Sequence, residues 1–150
     1  MTGEKFKLKF AVYVIPRNGD QVLLSLRKNT GYMDGSYSLV AGHVEAGETA
    51  EQAVIREATE EAGVTLTEDQ LKYVFTMHRL KTDPKDDYVD VFFECTNWDG
   101  EFINNEPEKC GGLDWFDIHN LPENTIPYVA DVLRLYPQGE RFMSKRETPA

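Results

Sequence analysis

The chain has 150 residues, 41% of them apolar and 28% charged, a balance that suits one globular domain and excludes a disordered polymer. Its formal net charge of −10 would repel a nucleic-acid backbone, and its basic residues form no cluster that offsets the repulsion, so no nucleic-acid polymer is expected as partner. No apolar run approaches the roughly 18 residues of a membrane span, and the opening MTGEKFKLKF has no apolar stretch followed by a small-residue cleavage site. A cytoplasmic protein without membrane contact is expected.

Along the chain, FKLKFAVYVI (6–15) begins with alternation and ends as a continuous apolar run, and QVLLSLR (21–27) repeats that strand character after Asn18-Gly19-Asp20, so the two read as a hairpin. The glycine- and aromatic-rich stretch that follows holds too many turn formers for a helix and one short candidate strand at residues 37–40. A helix is expected from Thr49, whose T-x-x-Q spacing with Gln52 lets hydroxyl and amide satisfy each other's free backbone N–H groups. Gly63 ends it. Residues 71–80 and 88–96 read as a second hairpin across the turn-rich Asp83-Pro84-Lys85-Asp86-Asp87, and residues 113–118 as a further strand. Pro127 opens a helix with Tyr128, Val129, Val132, Leu133 and Tyr136 on its apolar side. The polar segment 138–150 is expected to be a frayed tail of a single domain. Cys95 and Cys110 lack metal-site spacing and are expected to be free thiols.

Chemistry concentrates in residues 42–64, which hold six Glu and one Arg, half of the chain's excess negative charge. At about 100° per helical position, Glu57, Glu60 and Glu61 share one arc of about 100°, and Val54, Ile55, Ala58 and Ala62 occupy the next. One flank packs and the other presents carboxylates. Three like charges at i, i+3 and i+4 repel by a few tenths of a kcal/mol per pair even when exposed, and a bound cation removes that conflict. Oxygen ligands without His or Cys favour a hard ion, Mg²⁺ first and Mn²⁺ as substitute.

Written out, GHVEAGETAEQAVIREATEEAGV resembles the Nudix box, G-x5-E-x7-R-E-U-x-E-E-x-G-U with U apolar, through Gly42, Glu48, Arg56, Glu57, Glu60, Glu61, Gly63 and Val64. Ala58 is smaller than the aliphatic residue usual at its position, a difference of packing. The closing segment GLDWFDIHNLPENTIPYVADVL (112–133) is similar in layout to MutT-like members. The resemblance implies an α+β fold, an α/β/α sandwich about a mixed, partly antiparallel sheet. It implies that Glu60 and Glu61 bind metal, that the backbone carbonyl at or beside Gly42 completes the sphere, and that Glu57 either joins it or orients and deprotonates water. It gives Arg56 and Glu48 a supporting role as an internal ion pair. A further carboxylate ligand is expected from the loop FINNEPEKCGGLDWF, with Glu108 preferred over Glu106.

Such proteins hydrolyse a nucleoside diphosphate linked to another group. The leading expectation is a nucleoside or deoxynucleoside triphosphate, oxidised forms included, cleaved to monophosphate and pyrophosphate. ADP-ribose or another nucleotide sugar is the main rival, and a capped RNA end or dinucleoside polyphosphate a lesser one. Asn124 is expected to read a base edge, and Tyr37, with Tyr32, Phe75, Tyr88 and Trp98, to offer stacking surface. A non-hydrolytic nucleotide sensor is the reading of another class, opposed by the intact carboxylates. Similar proteins are commonly homodimers.

Overall fold

The computed structural model describes residues 5–147. Strand β1 (Lys9–Asn18) is buried throughout residues 11–15 because it is flanked on both edges and covered on both faces. Antiparallel β4 (Val40–His43) lies on one edge and parallel β6 (Tyr88–Cys95) on the other. A strand enclosed in this way reads as a continuous apolar run. Its side chains still alternate: Val12 and Val14 cluster with Ala53, Val54, Ala58 and Ala62 of helix α1 (Ala50–Ala62), while Ala11, Tyr13 and Ile15 cluster with Tyr128, Val129, Val132 and Leu133 of helix α2 (Pro127–Leu135). The helices therefore cover opposite faces, giving the expected α+β sandwich.

Strand β5 (Lys72–Leu80) runs antiparallel to β6, and β8 (Phe142–Arg146) runs parallel to β5, so the main sheet is mixed and ordered β4-β1-β6-β5-β8. A smaller antiparallel set joins β2 (Gln21–Arg27) to β3 (Tyr37–Ser38) and β7 (Cys110–Asp117). Strands β1 and β2 form the expected hairpin, though they pair only beside the turn, at Arg17↔Val22 and Asn18↔Gln21. Cys95 and Cys110 are free thiols. Among the described residues no helix is long and apolar enough to cross a membrane.

Three expectations need correction. The first strand begins at Lys9, where pairing with Tyr88 starts, and Phe6 and Leu8 are exposed ahead of it. The short strand at 37–40 is two strands parted at Leu39, because Tyr37 and Ser38 pair with β2 whereas Val40 pairs with β1. The tail from Gln138 is not frayed over its described part. Gly139, at φ +93°, reverses the chain after α2, and residues 142–146 return as β8. Backbone bonds from Thr76 N–H to the Arg141 carbonyl (2.9 Å) and from Glu147 N–H to the Leu80 carbonyl (2.8 Å) hold a segment whose side chains carry little apolar signal. Residues 148–150 lie outside the described residues.

Helix α1 starts and stops as its sequence requires. The Thr49 hydroxyl accepts from Gln52 N–H at 3.1 Å and the Gln52 amide oxygen accepts from Thr49 N–H at 2.9 Å, a complete capping box. At the other end Gly63 takes φ +65° and donates to the Thr59 carbonyl at 3.1 Å. The loop ahead of the helix is clamped by Arg56, whose guanidinium makes two bonds to Glu48 (2.7 and 3.0 Å) and one to the His43 carbonyl (3.1 Å). Arg56 holds the Glu48 carboxyl down at about 2, from an ordinary 4.5.

Two predictions follow from these ends. Gly63→Ala places a Cβ in left-handed backbone and 2.9 Å from Ile103 Cγ1; it is expected to destabilise the protein by about 1–2 kcal/mol, read as a lower urea midpoint, and an unchanged midpoint would count against the cap. Because the folded carboxyl of Glu48 titrates below the unfolded one, the stability it contributes is complete above about pH 4.5 and fades as pH falls toward 2. The stability gap between wild type and Glu48→Gln should therefore narrow in urea titrations from pH 6 to pH 3, and a constant gap would remove the ion pair as its cause.

Candidate active site on helix α1

Helix α1 lays its apolar flank on the sheet and carries its carboxylates along the edge nearest β4. Glu61 is oriented by the sheet itself, since one carboxylate oxygen accepts from Ala41 N–H at 3.1 Å, and Ala41 is fixed opposite Tyr13 of β1. Glu57 lies against Gly42 so closely that a Cβ on Gly42 would overlap its carboxyl group. This is the physical need for glycine at that position. Arg56 reaches Glu57 at 2.6 Å and Glu60 at 3.4 Å. Glu57 is withdrawn, with 15% of its side chain exposed, whereas Glu60 is 56% exposed.

The carboxylates feel one another. Burial pushes the Glu61 carboxyl up to about 8, with the charge of Glu57 as the next cause and Glu106 contributing further. Burial also raises Glu57, opposed by its bond to Arg56. Two carboxyls facing each other out of solvent, with a third nearby, form an oxygen-only donor set suited to a hard divalent cation. Among the described residues no three His, Cys, Asp or Glu side chains are gathered closely enough to hold an ion in this conformation; Glu57 and Glu60 are both paired with Arg56.

The loop acid beside the site is Glu106, where Glu108 was expected. Ile103 N–H and Asn105 N–H donate to the carbonyls of Ala62 and Glu61 at 2.9 and 3.1 Å, so the loop binds the open end of α1 and carries Glu106 into a cavity of about 340 Å³ lined also by Glu61. Lys109 and Cys110 N–H groups then close back on the Glu106 carbonyl (2.9 and 2.7 Å). That turn leaves Glu108 exposed on the outside, its carbonyl accepting from Asn29 at 3.2 Å. Arg27 and Lys109 also line this cavity, and the sequence did not single them out.

The two residues expected to read the substrate are not in the walls of the cavities beside the carboxylates. Tyr37 packs edge-on against Phe116, centroids 4.9 Å apart. The side-chain amide of Asn124 donates to the Gly35 carbonyl at 2.9 Å and its backbone carbonyl accepts from Tyr37 N–H at 2.8 Å; these bonds tie α2's approach to the loop before β3. Phe75 is core and Trp98 stacks on Trp115. Tyr32 and Tyr88, by contrast, line a second cavity that begins at Gly42 and His43.

A family model described as the NUDIX domain matches residues 7–137. The chain is 28% identical over 132 residues to the 8-oxo-dGTP diphosphatase of Escherichia coli (strain K12), covering 86% of this chain and 98% of that protein. It is 33% identical over 113 residues to the ADP-ribose pyrophosphatase of Methanocaldococcus jannaschii, covering 75% and 64%. It is also 33% identical over 121 residues to the NAD-capped RNA hydrolase NudC of Pseudomonas aeruginosa, of which it spans 38%. In fold it resembles the MutT NUDIX hydrolase from Burkholderia pseudomallei, with a TM-score of 0.78 at 23% identity over 85% of this chain and 97% of that one. With that domain model spanning most of the chain and the fixed residues of the box running from the end of β4 through α1 to its cap, the chain belongs to the Nudix hydrolase family, among its MutT-like members.

Proposed function

We propose that this chain is a divalent-metal-dependent pyrophosphohydrolase that cleaves the phosphoric anhydride of a nucleoside diphosphate derivative. The observation that carries the reading is the withdrawn pair Glu57 and Glu61, with Glu106 nearby, beside a cavity whose other wall holds Arg27 and Lys109. Glu57, Glu60, Glu61 and Glu106, with the backbone carbonyl of Gly42, are the groups that would hold Mg²⁺ or, in its place, Mn²⁺. When bound, such an ion neutralises phosphate charge and acidifies a water.

The chain's own residues do the remaining work. Ala41 N–H fixes the orientation of Glu61, and Glu57, in the space Gly42 leaves open, takes the proton of the attacking water or orients that water. Glu48 holds the Arg56 guanidinium by two bonds of its own, so Arg56 would keep its place with an ion bound to Glu57 and Glu60. Arg27 and Lys109, in the walls of the cavity that Glu61 lines, hold phosphate oxygens beside the carboxylates by charge-assisted bonds.

The leading substrate is a nucleoside or deoxynucleoside triphosphate, oxidised forms included, giving monophosphate and pyrophosphate. The match that runs along 98% of the E. coli 8-oxo-dGTP diphosphatase supports it. ADP-ribose is the second reading, supported by the 33% identity to the M. jannaschii pyrophosphatase. Incubation with triphosphates, their oxidised forms and ADP-ribose in Mg²⁺, with chromatography of the products, separates them: pyrophosphate with monophosphate supports the first, and AMP with ribose 5-phosphate the second. Tight binding without turnover of any compound would favour a sensor.

Glu61→Gln keeps the shape of the side chain and removes its charge. It is expected to lower kcat/KM by about 100-fold or more while the melting temperature without Mg²⁺ stays equal or rises, because the substitution removes a carboxyl whose charged form burial disfavours. Undiminished turnover would remove Glu61 from the site. Glu106→Gln should lower kcat/KM by about tenfold and raise the Mg²⁺ concentration needed for half-maximal rate, with Glu108→Gln indistinguishable from wild type in the same Mg²⁺ titration; the opposite ranking would restore Glu108 as the loop ligand.

A further inference from the structure

The second cavity, of about 400 Å³, shares Arg27, Ser38 and Ala41 with the first, so one ligand can extend through both. A flat slot between two aromatic rings is where a nucleobase would stack. In this cavity the slot between Tyr88 and Tyr128 is filled by the chain's own planar cation. The Arg79 guanidinium carbon lies 4.3 Å from the Tyr88 centroid and 3.9 Å from that of Tyr128. Asp90 grips it from behind at 2.8 and 3.2 Å, and Tyr13 donates its hydroxyl to the same carboxylate at 3.0 Å. The side chains of Arg79 and Asp90 are 3% and 0% exposed, and a charge so held does not swing aside without leaving its partner alone in a low dielectric.

What remains open is basic. Lys9, Arg27, Arg79 and Lys81 line the cavity against the single carboxylate of Asp86, which is paired with Lys9 at 2.8 Å. Glu147 stands behind, 3.1 Å from Arg79 and 3.7 Å from Lys81, and Asp90 offsets Arg79. Arg27 makes no ion pair among the described residues. Four cations thus face one carboxylate in the walls of this cavity, in a chain of net charge −10, while buried Asp87 accepts the Lys81 backbone N–H at 2.7 Å; the hydroxyls of Tyr32 and Tyr88 stand beside them, and Lys81 lies 4.2 Å over the Tyr32 ring. Ammonium, guanidinium and phenol donors at one mouth suit the several acceptor oxygens of a phosphoryl group.

We propose that this cavity receives a phosphoryl group of the substrate and leaves the base outside. The proposal rests on the hydrolase reading above for the word substrate, while the site itself stands on its own geometry. The phosphoryl group is either the terminal part of a triphosphate or the phosphate of a sugar joined through the scissile linkage, and both present the same oxygens to Lys81.

Calorimetric titration in EDTA, where no ion bridges phosphate to the carboxylates, tests the cavity directly. Inorganic pyrophosphate, ribose 5-phosphate, adenosine and guanosine are titrated into wild type, Lys81→Gln, Lys81→Arg and Lys72→Gln. One of the two phosphate compounds is expected to bind, about tenfold more weakly to Lys81→Gln, with recovery in Lys81→Arg and a change below about twofold in Lys72→Gln, an exposed lysine of β5 in the walls of neither cavity. Preference for pyrophosphate identifies the terminal phosphates of a triphosphate, and preference for ribose 5-phosphate identifies the sugar phosphate. Failure of both phosphates to bind, equal losses in Lys81→Gln and Lys72→Gln, or displacement of the phosphate by either nucleoside would overturn the proposal. Turnover is scored separately with Mg²⁺. A protein that binds at Lys81 and hydrolyses nothing retains the cavity assignment and loses the hydrolase reading.

Discussion

Like-charge crowding is the constraint around which the site is built, and Arg56 is the group that makes it tolerable. Its guanidinium touches Glu48, Glu57 and Glu60, reaches Glu45 at 3.8 Å, and donates to the His43 carbonyl. Each carboxylate pair on the helix would otherwise push apart, weakly where exposed and more strongly where withdrawn. A planar cation with five donors can serve a loop and a helix at once, which a lysine point charge cannot. The loop from β4 is therefore pinned against α1 before any ligand arrives, and the carboxylates turn on a fixed base.

That base depends in turn on β1. Its even residues hold α1 and its odd residues hold α2, so the carboxylates and the tyrosine-lined cavity are positioned from the two faces of one strand. Glu61 is fixed through Ala41, which pairs with Tyr13, while the Tyr13 hydroxyl, on the other face, fixes Asp90 and so Arg79. The acidic and basic parts of the molecule are thus two ends of one short path through the backbone. Between them lie Arg27, Ser38 and Ala41, common to both cavities.

The parts legible in the sequence are those fixed by local rules. Thr49 and Gln52 announce the helix start, Gly63 its end, and the spacing of Glu57, Glu60 and Glu61 a shared face, because each depends on neighbours within one or two turns. Strand β8 was hidden, since a parallel edge strand held by backbone bonds needs no apolar alternation. Glu108 was preferred to Glu106 because composition does not say which side of a turn faces inward; the bonds from Ile103 and Asn105 to the end of α1 turn Glu106 toward the cavity. The Asn124 amide is spent on the Gly35 carbonyl and the Tyr37 ring packs on Phe116, contacts made by residues far apart in sequence. The Arg79–Asp90 pair could not have been read at all, because it requires the register of β5 on β6.

The dependence on β1 also sets the order in which the molecule can be made. Its parallel partner β6 arrives late, and Tyr13 meets Asp90 across a sequence separation of 77. Closing so long a loop costs chain entropy before any contact repays it, and chains dominated by such pairings fold slowly. The second cavity has no floor until that closure is made, because Ala11 and Tyr13 of β1 and Tyr88 of β6 line it together. The first waits later still, for Glu106, Lys109 and Leu113, so a nascent chain that has synthesised the whole carboxylate helix still has no place to put a substrate.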